Sequence, residues 1–127
     1  MRILAAIAVG GALGALFRYG ISGLMGRLFP GAFPLGTLTV NVGGSFLIGW
    51  VWIWLERMSG APNLRAFAVV GLLGAFTTFS TYSLEILLLG RMNDMRIAAL
   101  YFLASNLLCL AAVAAGYFLA RFVYGAL

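Results

Sequence analysis

From Leu35 to Leu55 the chain runs 21 residues without a formal charge, and three other stretches of similar length are nearly as apolar. About 20 residues of helix cross the hydrocarbon of a bilayer, and apolar runs of about 18 or more mark such spans. The first run, Ile3 to Leu24, is interrupted only by Arg18. The third, Leu64 to Leu89, carries Glu85 as its one acidic residue, and the fourth, Ile97 to Leu119, has no charge. Of the 127 residues, 64% are hydrophobic and 9% charged. A soluble domain of this size would lack the polar residues to cover itself, so lipid must do the covering. The sequence predicts an all-α membrane protein with four transmembrane helices, 3–24, 35–55, 64–89 and 97–119, in one domain of residues 1–127. It is multi-pass in the cell membrane, the inner membrane of a two-membrane cell.

The segments between the runs are short and rich in proline, glycine, asparagine or arginine, as tight helix-to-helix turns require. Four crossings put both termini on one side. Met1-Arg2 before an apolar stretch, with Ala12-Leu13-Gly14-Ala15 beyond, has the outline of a cleaved leader. Apolar character resumes directly after Arg18, unlike a mature N-terminus, so the first run is read as a retained span. Cys109 is the single cysteine, and no disulfide can form within the chain.

All eight basic residues are arginines. Arg2, Arg57, Arg65 and Arg121 fall on the side of the termini, and Arg27, Arg91 and Arg96 on the other. Arg18 evens the balance if it snorkels towards the first loop. Orientation follows the excess of Lys and Arg in cytoplasmic loops, and here there is almost none. Two readings stay open on charge alone: orientation by the first helix, or dual topology with copies inserted both ways and paired antiparallel. The net charge of +5 comes from interfacial arginines; no extramembrane segment is large enough to dock nucleic acid.

Polar residues inside the spans are few. Gly10 and Gly14 form a G-x-x-x-G pair, and Gly43, Gly44, Gly49, Gly71 and Gly74 punctuate the next two spans, which suits close helix packing within one chain or between copies. Asn41 lies about 9 Å along the second helix at 1.5 Å per residue, and an amide at that depth needs partners, as glue between helices or as a lining donor. Tyr101, Ser105 and Cys109 recur at i, i+4 and i+8 as one stripe that lines a track or packs quietly, with Asn106 beside it. Six of the seven residues from Thr77 to Ser83 carry a hydroxyl. The adjacent β-branched Thr77 and Thr78 weaken a helix locally, so the third helix is expected to break near its middle. Carbonyls freed there must face a cavity, another protomer or an ion. Carbonyl oxygens suit a hard cation such as sodium; hydroxyl hydrogens and aromatic ring edges suit a small anion.

The inventory also narrows the chemistry. Without histidine there is no Ser-His-Asp arrangement and no histidine metal site, and one cysteine cannot build a thiolate cluster. Glu85 and Asp94 are too isolated for a carboxylate dyad. The chain is read as no enzyme; permeation remains. A small dual-topology multidrug/proton exporter is the alternative, but it wants a carboxylate deep in the first span, which has none. A packing subunit of a larger assembly is a third possibility.

Three stretches carry a family resemblance: Gly10-Gly11 through Gly14-Ala15 to Arg18-Tyr19; Gly36 through Asn41 and Gly43-Gly44-Ser45 to Phe46; and Gly71 through Gly74 to Thr77-Thr78-Phe79-Ser80-Thr81-Tyr82-Ser83-Leu84-Glu85. In length, span count and motif order the chain resembles the Fluc (CrcB-type) fluoride channels of microbes. The resemblance implies an antiparallel dual-topology homodimer in lipid, with two fluoride pores and a central structural sodium ion between subunits. It implies passive fluoride export and no other cofactor. By position, Asn41 would donate to fluoride in the pore, and Phe79 and Tyr82 would form the aromatic box, Tyr82 departing from the phenylalanine usual there. Ser80, Thr81, Tyr101, Ser105 and Cys109 would belong to the polar track, the cysteine in place of a serine. Glu85 would lie close to the pore lining and Arg18 near the vestibule. Gly74 and Thr77 would bind sodium through backbone carbonyls.

Overall fold

In hydrocarbon every peptide group must find its hydrogen-bond partner within the protein, which leaves a chain of four apolar runs with helices as its spanning element. The computed structural model describes residues 1–58, 61–92 and 94–125. Among the described residues there is no strand. Four long helices succeed one another: α1 (Arg2–Leu28), α2 (Leu35–Arg57), α3 (Pro62–Arg91) and α4 (Met95–Tyr124).

Each helix outruns the apolar stretch that announced it, for one physical reason. The last turn of every one holds an arginine: Arg27, Arg57, Arg91 and Arg121. A cation there is favourable to the carbonyl end of the helix dipole, and its long stem carries the charge out to the interface. Hydropathy marks the hydrocarbon depth; the helix continues into the headgroup region. α4 stops at Gly125, whose φ of 59° is the left-handed conformation that glycine adopts without penalty.

Helix α2 packs chiefly on α4, and α1 on the first half of α3. Glycine makes both contacts backbone to backbone. A Cβ on Gly116 would strike the carbonyl oxygen of Phe46, and one on Gly49 that of Val113. Across the other pair, Gly10 and Gly14 lie against the carbonyls of Phe67 and Leu72, so the G-x-x-x-G pair packs within the chain. Large apolar side chains such as Leu16, Phe118 and Phe122 remain exposed, as lipid-facing residues are.

Helix α3 is not continuous. An α-helical turn, Pro62–Arg65, gives way to a π-helical stretch, Ala66–Leu73, then a single α turn, Gly74–Phe76. Thr77 (φ −85°, ψ 157°) and Thr78 (φ −149°, ψ 117°) are extended, and the helix resumes over Phe79–Arg91. The break falls where the paired threonines predict it. The π-helical stretch is unannounced, since its sequence reads as an ordinary apolar helix.

Candidate functional site

The break leaves backbone groups that an unbroken helix would satisfy. The Thr77 N–H still makes the ordinary helical bond to the Leu73 carbonyl at 3.1 Å, and its hydroxyl donates to the same oxygen at 3.0 Å. The Thr78 N–H would in a continuous helix reach Gly74; it donates instead to Asn41 Oδ1 at 2.7 Å. Asn41 Nδ2 in turn donates to the Thr78 carbonyl at 3.0 Å. One carboxamide from α2 thus stands in for the missing helical bonds on both sides of Thr78. The Thr78 hydroxyl then caps the second half of α3, accepting from the Thr81 N–H at 3.2 Å. It also contacts the hydroxyls of Thr81 at 3.0 Å and Ser80 at 3.3 Å. Arg18, on α1, donates from Nε to the Ala75 carbonyl at 3.0 Å, so a cation sits against the carbonyl end of the first half-helix. Its Nε points into the fold rather than to the first loop.

Beside the break lies a cavity of about 420 Å³ whose lining contains no charged residue. Asn41, Phe79 and Tyr82 line it, with Ser105 and Cys109 from α4; Gly74 and Thr77 close it on the α3 side. Asn41 is therefore both glue and lining: one N–H holds Thr78, and an amide has a second to give. Ser105 is 5% exposed, and its hydroxyl oxygen is buried without a hydrogen-bond partner. The rings of Phe79 and Tyr82 meet with centroids 5.5 Å apart at 53°. Phe79 itself is 77% exposed and projects from the chain. Ser80 and Thr81 do not line the cavity; they surround the Thr78 cap.

A second cavity, of about 230 Å³, opens by the α1–α2 turn and is lined by Glu85 and Thr37 among others. Both carboxylate oxygens of Glu85 accept from hydroxyls, Oε1 from Thr37 at 2.7 Å and Oε2 from Tyr101 at 2.6 Å. Tyr101 is fully buried, its ring edge-on to Phe33 and to Tyr82, each at 5.4 Å. The two cavities are thereby joined by a file of contacts: Tyr82 on the first, then Tyr101, then Glu85 on the second. Of the α4 stripe, Ser105 and Cys109 serve the first cavity and Tyr101 the junction.

Asn106 is the residue that sequence reasoning left unresolved. It lines the first cavity, and its Nδ2 donates to Tyr82 Oη and to the Phe102 carbonyl, both at 2.7 Å. The only sequence signal for it was its place next to Ser105 on a helix with few amides. Among the described residues no cluster of three or more His, Cys, Asp or Glu side chains could hold a metal ion. A cation at this site would depend on carbonyls.

Residues 5–117, which span all of these features, match the family described as CrcB-like protein, Camphor Resistance (CrcB). Named relatives agree. A protein of Shewanella amazonensis called fluoride-specific ion channel FluC is 49% identical over 110 residues, covering 87% of this chain and 89% of that one. Its namesake in Parabacteroides distasonis is 45% identical over 113 residues, 89% of this chain and 88% of the relative. A longer namesake in Methylococcus capsulatus is 52% identical over 123 residues, 93% of this chain and 52% of its own length. With its four spans, its broken third helix and the cavity beside it inside the matched region, the chain belongs to the CrcB family.

Proposed function

We propose that this protein is a fluoride-selective channel that lets fluoride leave the cell passively through the cell membrane. The observation that carries the reading is the cavity at the α3 break, whose lining sets amide, hydroxyl and aromatic side chains among apolar ones such as Ile48, Leu73 and Leu110, with no charged side chain. A bare halide moved into a low-dielectric interior loses tens of kcal/mol of hydration. Permeation therefore needs donors that replace water at each step without holding the ion too firmly to release it. Uncharged donors meet both demands. Asn41 has an N–H beyond the one given to Thr78, Ser105 has an unpartnered hydroxyl, and Phe79 and Tyr82 offer the positive edges of their rings. Cys109 extends the track, the Tyr101–Glu85 pair continues it to the second cavity, Ser80 and Thr81 hold the Thr78 cap beside it, and Arg18 draws anions towards the vestibule.

The functional unit is an antiparallel, dual-topology homodimer with two pores. Support comes from polar side chains exposed on the single chain at membrane depth: Ser80, Ser83 and Asn106 stand uncovered on the same face as the protruding Phe79. Gly43 has no atom within 4 Å of where a Cβ would stand, which leaves room for a second helix. A structural sodium ion between the subunits suits the same break. The carbonyl of Gly74 is deprived of the Thr78 N–H, and Thr77 is extended, so both carbonyls are available to a hard cation that prefers oxygen ligands. The exporter alternative is weaker, because Glu85 has both oxygens engaged by Thr37 and Tyr101.

Purified protein in potassium fluoride-loaded vesicles tests the reading. Fluoride should appear outside once charge is balanced by a potassium ionophore, while chloride-loaded vesicles stay sealed. Vesicles that hold fluoride as well as protein-free ones do would overturn it.

A further inference from the structure

Tyr82 offers more than a ring edge. Asn106 Nδ2 lies 2.7 Å from the Phe102 carbonyl, which can only accept, so the atom facing it must be the amide nitrogen. The same nitrogen lies 2.7 Å from Tyr82 Oη. Its two hydrogens are thus divided, one to each oxygen, and Tyr82 Oη is an acceptor in this bond. The phenolic proton is therefore not spent on Asn106. Among the described residues the structure shows no protein acceptor for it.

The ring that carries it is fixed. Tyr82 is 5% exposed, with its ring held between Phe79 at 5.5 Å and Tyr101 at 5.4 Å. Tyr82 and Asn106 both line the cavity of about 420 Å³, as does Ser105, whose buried hydroxyl oxygen also lacks a partner. An occupant of this cavity that accepts hydrogen bonds would take up both hydroxyl protons. An amide hydrogen given to the phenol oxygen polarises its O–H and strengthens it as a donor.

We propose that the Tyr82 hydroxyl, aligned by Asn106, donates a hydrogen bond to a small halide in this cavity. Asn106 is the positioning residue: it occupies the phenol oxygen as acceptor and so turns the proton to the ion. The inference rests on the fluoride-channel reading and adds to it a donor that discriminates by acceptor strength, since fluoride accepts a hydrogen bond more strongly than chloride.

The test is the concentration dependence of fluoride flux in vesicles for wild type, Tyr82→Phe, Asn106→Ala and the double variant. Tyr82→Phe keeps the ring and removes the proton. A hydrogen bond to a charged group is worth enough that half-saturating fluoride should rise roughly 10- to 100-fold. Asn106→Ala should raise it as well, but add nothing on top of Tyr82→Phe, because the positioned proton is already gone. Purely structural damage would lower the amount of folded dimer without moving half-saturation. Wild-type vesicles that conduct, with Tyr82→Phe at the wild-type half-saturation, would overturn this inference and leave the channel reading standing. Additive effects of the two substitutions would overturn the positioning role of Asn106. Silent wild-type vesicles would overturn both.

Discussion

Asn41 illustrates how a single side chain can tie a broken helix together and still line a cavity. Its carboxamide closes the Thr78 peptide on both sides, at 2.7 and 3.0 Å, while the amide keeps one N–H for the cavity. Asn41→Asp retains an acceptor for the Thr78 N–H, loses both N–H donors and sets a negative charge beside the ion path. Two like charges about 4 Å apart at an effective dielectric constant near 20 repel by roughly 4 kcal/mol, or about a thousandfold in rate. Fluoride efflux from vesicles should fall by about that factor while the protein elutes, still folded, at the wild-type volume; undiminished flux would remove Asn41 from the path. The sequence marked Asn41, Thr77 and Thr78 as unusual because polar groups at membrane depth are few. It could not show that Asn41 bonds to Thr78, since their 37-residue separation along the chain carries no local signal. Asn106 was less legible still, because its meaning depends on Tyr82, 24 residues earlier.

At the scale of the helices, glycine contacts and the α3 break carry the argument. A Cβ added to Gly14 would overlap the Leu72 carbonyl, whereas one added to Gly23 would meet nothing within 4 Å. Overpacking of this kind costs about 1–3 kcal/mol. Gly14→Ala should lower the thermal midpoint in detergent by several degrees and Gly23→Ala should not; equal midpoints would mean that α1 and α3 do not meet as described. The glycine pattern announced close packing but not its partners, which only the fold supplies. The break makes a further demand. If the carbonyls of Gly74 and Thr77 hold sodium at a hundred times its dissociation constant, the ion adds about 2.7 kcal/mol. Replacing sodium by a bulky organic cation should then lower the midpoint of the wild-type protein, and an unchanged midpoint would argue against the ion. The break itself was legible, as two β-branched residues with competing hydroxyls. The π-helical stretch before it was not, because Ala66–Leu73 contains nothing that distinguishes i+5 from i+4 bonding in an apolar run.

For the molecule as a whole, the apolar runs were enough to give four helices, and the arginine count left orientation nearly balanced. Arg18 does not even that balance: its Nε is committed to Ala75 inside the fold, which leaves four arginines on the side of the termini against three on the other. Near-equality is what dual topology requires. Tags on the termini of vesicle-reconstituted protein should therefore be accessible from both faces in one preparation, and a single orientation would contradict the antiparallel dimer. The deeper claim is that uncharged donors around the α3 break substitute for the water a small halide gives up. The most direct measurement is the reversal potential across a planar bilayer holding the wild-type protein, with fluoride on one side and chloride on the other. A large potential set by fluoride as the permeant ion is the result this account predicts. A potential near zero, with the two halides passing alike, would contradict it.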